Sequence, residues 1–122
     1  MGFRELALWP LATLGPKVMS LKTAFFDVGE FKIMQVNLAV FSAYAPLTGA
    51  LQVDLEHSAD SKDWYHLASF SAVSPPLTVV PTGQTLHVEQ FLRYVRVSIS
   101  ILGTTDPILF TFSLNGIAKD GQ

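Results

Sequence analysis

Two stretches of this 122-residue chain alternate between apolar and polar side chains with a period of two. In residues 51–58 the odd-numbered positions form a face that is apolar up to His57. In residues 91–102 the odd-numbered face is apolar apart from Arg93. Successive side chains of a β-strand point to opposite sides of a sheet, so this pattern predicts two strands, each with one buried face.

The first of these strands is followed by a segment with the composition of a tight turn. Residues 58–63 read Ser-Ala-Asp-Ser-Lys-Asp, and Ser and Asp side chains accept hydrogen bonds from nearby backbone N–H groups. Residues 64–70 return to an apolar, aromatic pattern. We therefore predict a hairpin, with residues 64–70 as its return strand and Trp64 as a core anchor at the start of that strand.

The rest of the chain also has the pattern of short strands separated by Gly, Pro, Asp and Ser. Further strands are predicted at residues 18–27, 31–44, 77–80, 85–89 and 108–115. In residues 31–44 the apolar phase shifts by one position near Ile33 and Met34, which predicts a β-bulge there. No segment has a convincing helical stripe.

Together these strand and turn patterns predict an all-β fold, an antiparallel β-sandwich or jelly roll of about eight short strands with an extended N-terminal arm. We divide the chain into an N-terminal arm or edge strand at residues 1–16, a β-sandwich domain at residues 17–118 and a polar tail at residues 119–122. A chain of this length has room for one core of ordinary size.

The N-terminal arm is apolar and is interrupted by Pro10, which cannot donate a hydrogen bond to a sheet. Two interpretations are open for its apolar side chains. They close the core of their own domain, or they dock on a neighbouring subunit. The candidates for a subunit interface are Phe3, Leu6, Leu8, Trp9 and Leu11.

Composition favours an assembly over a free monomer. Charged residues make up 15% of the chain, against about 25% in a typical soluble domain, and the mean hydropathy is +0.36. With few charges to cover its surface, the chain is predicted to form a homo-oligomer, with a trimer as one expected state. The net charge of −2 predicts neither a nucleic-acid nor a membrane partner, and no apolar run reaches the roughly 18 residues that span a bilayer.

No arrangement of residues predicts catalysis. The three histidines lack metal-ligand spacing, the chain has no Cys, and neither a nucleophile motif nor a phosphate-binding loop is present. We therefore expect no enzyme activity, no catalytic residue, no metal and no cofactor. Asp54, Glu56, Asp60 and Asp63 cluster around the hairpin, where carboxylates suit a calcium site. The turn explains Asp60 and Asp63 more simply. With Tyr65 and Arg93 they are the candidate contacts to a ligand or to the rim of an interface.

Two patterns resemble known families. The first is Val-x-Leu-x-His-Ser-x-Asp-x-x-x-Trp-x-x-Leu-x-x-Phe over residues 53–70, and the second is Phe-x-Arg-Tyr-Val-Arg-Val-x-Ile over residues 91–99. Together they are similar to small β-sandwich proteins of tailed phages and prophages, of the capsid decoration or cement type. The same two sequence patterns look like those of the discoidin or galactose-binding sandwich, in which a similar hairpin and a later Arg-Tyr-Val-Arg strand occur.

The phage resemblance implies a non-enzymatic virion structural protein, either a decoration protein or another head or tail component. Such a protein is made in the host cytoplasm, oligomerises, binds a capsid or other virion protein and stabilises the assembled particle. The discoidin resemblance implies the alternative, a carbohydrate-binding module with a glycan partner.

Overall fold

A computed structural model describes residues 3–14, 20–44, 49–74, 77, 80–102 and 109–120. Within these ranges the regular structure consists of β-strands. In chain order they are β1 (Phe3–Leu14), β2 (Ser20–Lys22), β3 (Phe26–Asp27), β4 (Ile33–Tyr44), β5 (Ala50–Ser58), β6 (Tyr65–Ser69), β7 (Thr82–Val88), β8 (Tyr94–Leu102) and β9 (Leu109–Lys119). In the described part of the chain, no helix has the length and apolar character needed to cross a bilayer.

The strands form two antiparallel sheets. The four-stranded sheet has the order β1-β9-β4-β7. The five-stranded sheet has the order β2-β8-β5-β6. Its fifth strand, β3, also pairs with β8, at Tyr94 and Val95, whereas β2 pairs with residues 98–100 of β8. The prediction of an all-β antiparallel sandwich is confirmed. The N-terminal segment is β1, an edge strand of the four-stranded sheet that pairs with β9.

The core lies between the two sheets and is formed by the alternating inward positions of their strands. Burying these apolar side chains removes them from water, which is the main favourable term in folding. The four-stranded sheet contributes Leu6, Leu8, Met34, Val36, Leu38, Val40, Val88, Phe110, Phe112, Leu114 and Ala118. The five-stranded sheet contributes Leu51, Val53, Leu55, Val95, Val97, Ile99 and Ile101.

Two of the five predicted interface residues belong to this core. Leu6 and Leu8 are buried within the chain itself, because β1 lies against β9 and turns these side chains between the sheets. The side chains of Phe3, Trp9 and Leu11 lie outside what the structure describes. Of the two interpretations of the N-terminal arm, Leu6 and Leu8 therefore follow the first: they help to close the core of their own domain.

The bulge predicted near Ile33 and Met34 was placed wrongly. These two residues pair in continuous register with β9, and the register shift in β4 lies between Val40 and Ser42. The apolar phase changes near residue 33 for another reason. Phe31 precedes the strand and packs against the core from a loop, and Ile33 is a half-buried apolar residue on the outward phase of β4.

Several predicted strands have different bounds. The strand expected at 91–102 begins at Tyr94, and the one expected at 108–115 continues to Lys119, the first residue of the predicted tail. The described part of residues 18–27 contains two short strands, β2 and β3. The strand expected at 85–89 runs from Thr82 to Val88, because it pairs with β4 from Val40 back to Met34. Leu77 and Val80 lie outside the strands, and residues 78 and 79 lie outside the described part of the chain.

Candidate interaction surface

The outer side of the five-stranded sheet carries a cluster of charged and aromatic side chains. Val95 and Val97 point into the core, so the residues between and beside them point outward. We call this cluster the charged–aromatic surface. Its members are Lys22, Phe25, Glu56, Trp64, Tyr94 and Arg96.

Glu56 is the polar centre of the charged–aromatic surface. The pairing of β5 with β8 places Glu56 directly opposite Arg96, and Arg96 Nε donates to Glu56 Oε1 at 2.8 Å. On the other side of β8, Lys22 Nζ lies 3.1 Å from Glu56 Oε2 and donates to Ser98 Oγ at 3.0 Å. One carboxylate therefore bridges two cations that come from different strands.

The environment of Glu56 stabilises its charged form. The side chain is only 18% exposed, and burial alone would raise its pKa. The hydrogen bonds and charges of Arg96 and Lys22 outweigh burial, so the pKa lies below its ordinary value. Glu56 is therefore ionised at neutral pH, and its two cations are held in fixed positions on the sheet.

Aromatic rings flank this ion-pair cluster. The Arg96 guanidinium carbon lies 4.2 Å from the centre of the Trp64 ring, a cation–π contact. The Phe25 ring lies 6.0 Å from the Trp64 ring and meets the Tyr94 ring edge-on at 5.4 Å. Phe25 is 50% exposed, so the cluster presents an aromatic edge to solvent.

Trp64 is not the core anchor that the hairpin pattern predicts. It lies just before β6 and is half-buried on the outer side of the sheet, where Arg96 and Phe25 contact it. The aromatic residue at the far end of the return segment, Phe70, is the buried one, and its amide donates to the carbonyl of Val53. Trp64 therefore belongs to the surface.

Arg93 lies beside the charged–aromatic surface and is held in place from three sides. Its Nε and Nη2 donate to Asp27 Oδ2 at 3.2 and 2.9 Å, and its guanidinium carbon lies 5.2 Å from the centre of the Tyr94 ring. A Cβ at Gly29 would lie 2.9 Å from Arg93 Cγ, so the absence of a side chain at Gly29 lets the arginine stem lie this close. The hydrogen bonds to Asp27 raise the pKa of Arg93.

Two adjoining grooves lie at this end of the sandwich. The larger, of ≈ 600 Å³, is lined by residues 27–31 and 91–93. The second, of ≈ 540 Å³, shares Phe31, Phe91 and Leu92 with it. The loop that lines both grooves is anchored where the Leu92 amide donates to His57 Nδ1 at 3.1 Å. Burial, and secondarily the charge of nearby His66, lowers the pKa of His57.

The role of Asp60 in the hairpin turn is explained by hydrogen bonds within the turn itself. Asp60 Oδ1 accepts hydrogen bonds from the amides of Asp63 and Lys62 and from the Ser58 hydroxyl, at 2.9–3.0 Å. These bonds, the Asp63 amide first, lower the pKa of Asp60 to about 2. Ser61 adopts the left-handed conformation, with φ of 65°. Among the described residues, no group of three His, Asp or Glu is placed to hold a metal ion.

The four predicted contact residues do not form one site. Asp60 and Asp63 share the hairpin turn, Tyr65 begins β6 and is 60% exposed, and Arg93 pairs with Asp27. Sequence reasoning did not single out Lys22, Phe25 or Arg96 as part of a surface. Lys22 and Arg96 were recognisable only as polar residues within predicted strands, and Phe25 lies between β2 and β3. The strand register is needed to bring the three together.

Comparisons with known proteins identify a fold. No protein-family model matches the chain, and no curated protein matches it. Two solved structures share the architecture over 98% of this chain. They are infectious bursal disease virus of the Gx strain (TM-score 0.59, 8% identity) and of the Gt strain (TM-score 0.52, 8% identity). This chain spans about a third of the length of each viral chain, 33% and 32% respectively.

Proposed function

We propose that this chain is a non-enzymatic structural component of a viral or phage particle. The observation that supports the proposal most is the shared fold, since the sandwich aligns over 98% of its length with chains in two virus structures. The low content of charged residues, 15%, also suits a protein that covers its surface in an assembly.

In the finer form of the proposal, the chain is a capsid decoration or cement protein and the charged–aromatic surface contacts a neighbouring virion protein. Interface centres are enriched in Trp, Tyr, Phe and Arg, and this surface brings one or more of each together on a rigid sheet. A protein that binds only the assembled shell stabilises that shell by mass action. No covalent chemistry is needed for this role.

The experiment is to purify particles assembled from the genome that encodes the chain and to search them for it. Mass spectrometry and immunogold labelling should find the chain on washed particles, in a constant ratio to the major structural protein. Particles from which the gene is deleted should lose genome at a lower temperature. If the chain stays in the soluble fraction and washed particles lack it, the proposal is wrong.

A second candidate function is favoured by the groove beside Arg93. The Arg93–Asp27 pair places donors and acceptors next to Phe31 and Phe91, a combination that suits a carbohydrate with hydroxyl groups and an apolar ring face. A glycan array is the test. Binding that is lost in Asp27→Asn and kept in Asp63→Asn would support a glycan-binding role, and an array without binding would remove it.

A further inference from the structure

The exposed edges of the two sheets are not equally protected against pairing with another strand. An edge strand presents unpaired N–H and C=O groups, and proteins usually block such edges with bulges, proline, charge or short length. Edge strand β1 has three of these protections. It contains Pro10, Arg4 and Glu5, and its register with β9 shifts twice.

The edges of the five-stranded sheet are also protected. On one side, β2 has three residues and β3 has two, and they carry Lys22 and Asp27. On the other side, β6 has five residues, and its register with β5 is broken between Leu55 and Glu56. Short or bulged strands offer few aligned backbone groups to a partner.

Edge strand β7 has none of these protections. Its seven residues, Thr82–Val88, pair with β4 without a register shift and include no proline, Lys, Arg, Asp or Glu. In an antiparallel pair, alternate residues direct their N–H and C=O groups away from the partner. Within the described part of the chain, the residues Gly83–Val88 form backbone hydrogen bonds to no strand other than β4.

The composition of β7 is compatible with pairing to itself. If two copies align antiparallel with full overlap, Thr85 faces Thr85, Gln84 faces Leu86 and Gly83 faces His87. Each of these pairs keeps the same face of the sheet, because Gly83, Thr85 and His87 are exposed while Gln84 and Leu86 are half-buried. No formal charge meets a like charge, and His87, the titratable side chain of the strand, faces glycine.

We propose that a second copy of this chain adds its β7 to β7 of the first across a two-fold axis, so that two four-stranded sheets become one continuous sheet. The interface is isologous, with the same strand on both sides. The interface lies on a different sheet from the charged–aromatic surface. The two surfaces can therefore be disrupted separately, and failure of one proposal does not decide the other.

The test is the mass of the chain in solution, with two matched variants. Wild type should have twice its 13.4 kDa chain mass by light scattering. Thr85→Lys should be monomeric, because it places two ammonium groups opposite each other; we expect dimer dissociation to be about tenfold easier or more. Asn115→Lys is the control. It puts lysine on the same outer face in the central strand β9 and, like Thr85→Lys, removes a hydrogen-bond partner of Asn37. It should remain dimeric.

Hydrogen exchange provides a second measurement that does not depend on a variant. Alternate amides of Gly83–Val88 should exchange slowly in concentrated protein and quickly after dilution. Three results would each overturn the proposal. One is a wild type that stays monomeric at high concentration, another is a dimer that survives Thr85→Lys, and the third is slow exchange of these amides in dilute monomer.

Discussion

The two outer faces of the sandwich have different chemistry on the same antiparallel framework. In the middle of the four-stranded sheet, neutral side chains hydrogen-bond to one another. Thr85 Oγ1 donates to Asn37 Oδ1 at 2.9 Å, and Asn37 Nδ2 donates to Asn115 Oδ1 at 3.2 Å. In the middle of the five-stranded sheet, Glu56 bridges Lys22 and Arg96 beside aromatic rings.

Under the proposed function, the difference favours the five-stranded sheet as the face that binds a partner. Neutral amide and hydroxyl groups that already bond to one another gain little when a partner covers them. The rings and guanidinium groups of the charged–aromatic surface still have exposed edges, and burying such groups supplies much of the energy of protein interfaces. In both sheets alternate side chains point into the core. This pattern explains the fold, but it does not distinguish one outer face from the other.

The largest expected effect concerns the inner faces, where the two sheets should be equivalent. Leu38→Ala in the four-stranded sheet and Leu55→Ala in the five-stranded sheet each leave a cavity at a fully buried site. Each should lower the free energy of unfolding by about 2–5 kcal/mol, measured by urea denaturation. If one variant cost less than about 1 kcal/mol, that sheet would not be packed as described.

A smaller effect is expected from Glu56→Gln, which removes the charge at the centre of the five-stranded sheet. Because Arg96 and Lys22 lose a charged acceptor, the variant should be less stable by about 1–2 kcal/mol at pH 7. The folded-state pKa of Glu56 lies below 4.5, so the charge stabilises the fold above about pH 4.5 and this contribution is lost as pH falls through the folded-state pKa.

Urea unfolding at a series of pH values checks this prediction. The difference between wild type and Glu56→Gln should be constant above pH 4.5 and shrink below it. Glu89→Gln, at an exposed glutamate, is the control and should leave stability nearly unchanged. A gap that grows on acidification would contradict the ion-pair geometry.

The smallest effect is expected at the hairpin turn, in Asp60→Asn. Asparagine keeps an oxygen that can accept the turn hydrogen bonds but loses the charge. The pKa of Asp60 falls from 3.8 to about 2 in the fold, so its charge contributes stability above pH 3.8, and this is lost as pH falls through about 2. Unfolding midpoints should therefore converge near pH 2. Asp63→Asn is the control, since its carboxylate accepts none of the described turn hydrogen bonds.

The architecture could be predicted from the sequence because burial imposes a period of two. Leu51, Val53 and Leu55 alternate with polar residues, and all three are fully buried. The pattern was less informative where a side chain packs from outside a strand. Phe31 packs against the core from outside β4, and its position in the sequence was interpreted as a bulge. Trp64 was interpreted as a core residue, but it packs against Arg96 on the surface of the sheet.

The charged–aromatic surface could not be assembled from sequence for a physical reason. Lys22, Glu56 and Arg96 are separated by 34 and 40 positions along the chain, and which of them meet depends on the register of three strands. Arg93 was recognisable as an arginine near a strand start. Its pairing with Asp27 depends on β3 lying beside β8 and on Gly29 leaving space.

The central claim is that a particle is bound through the five-stranded sheet, and one measurement tests it most directly. Phe25 is 50% exposed on the charged–aromatic surface, and Phe41 is 39% exposed in the four-stranded sheet. The same change, Phe→Ser, is made at each site, and binding is measured by co-sedimentation with particles that lack the native chain. Phe25→Ser should reduce binding by about tenfold or more, and Phe41→Ser should bind like wild type. Equal binding by both variants, or loss only with Phe41→Ser, would contradict the claim.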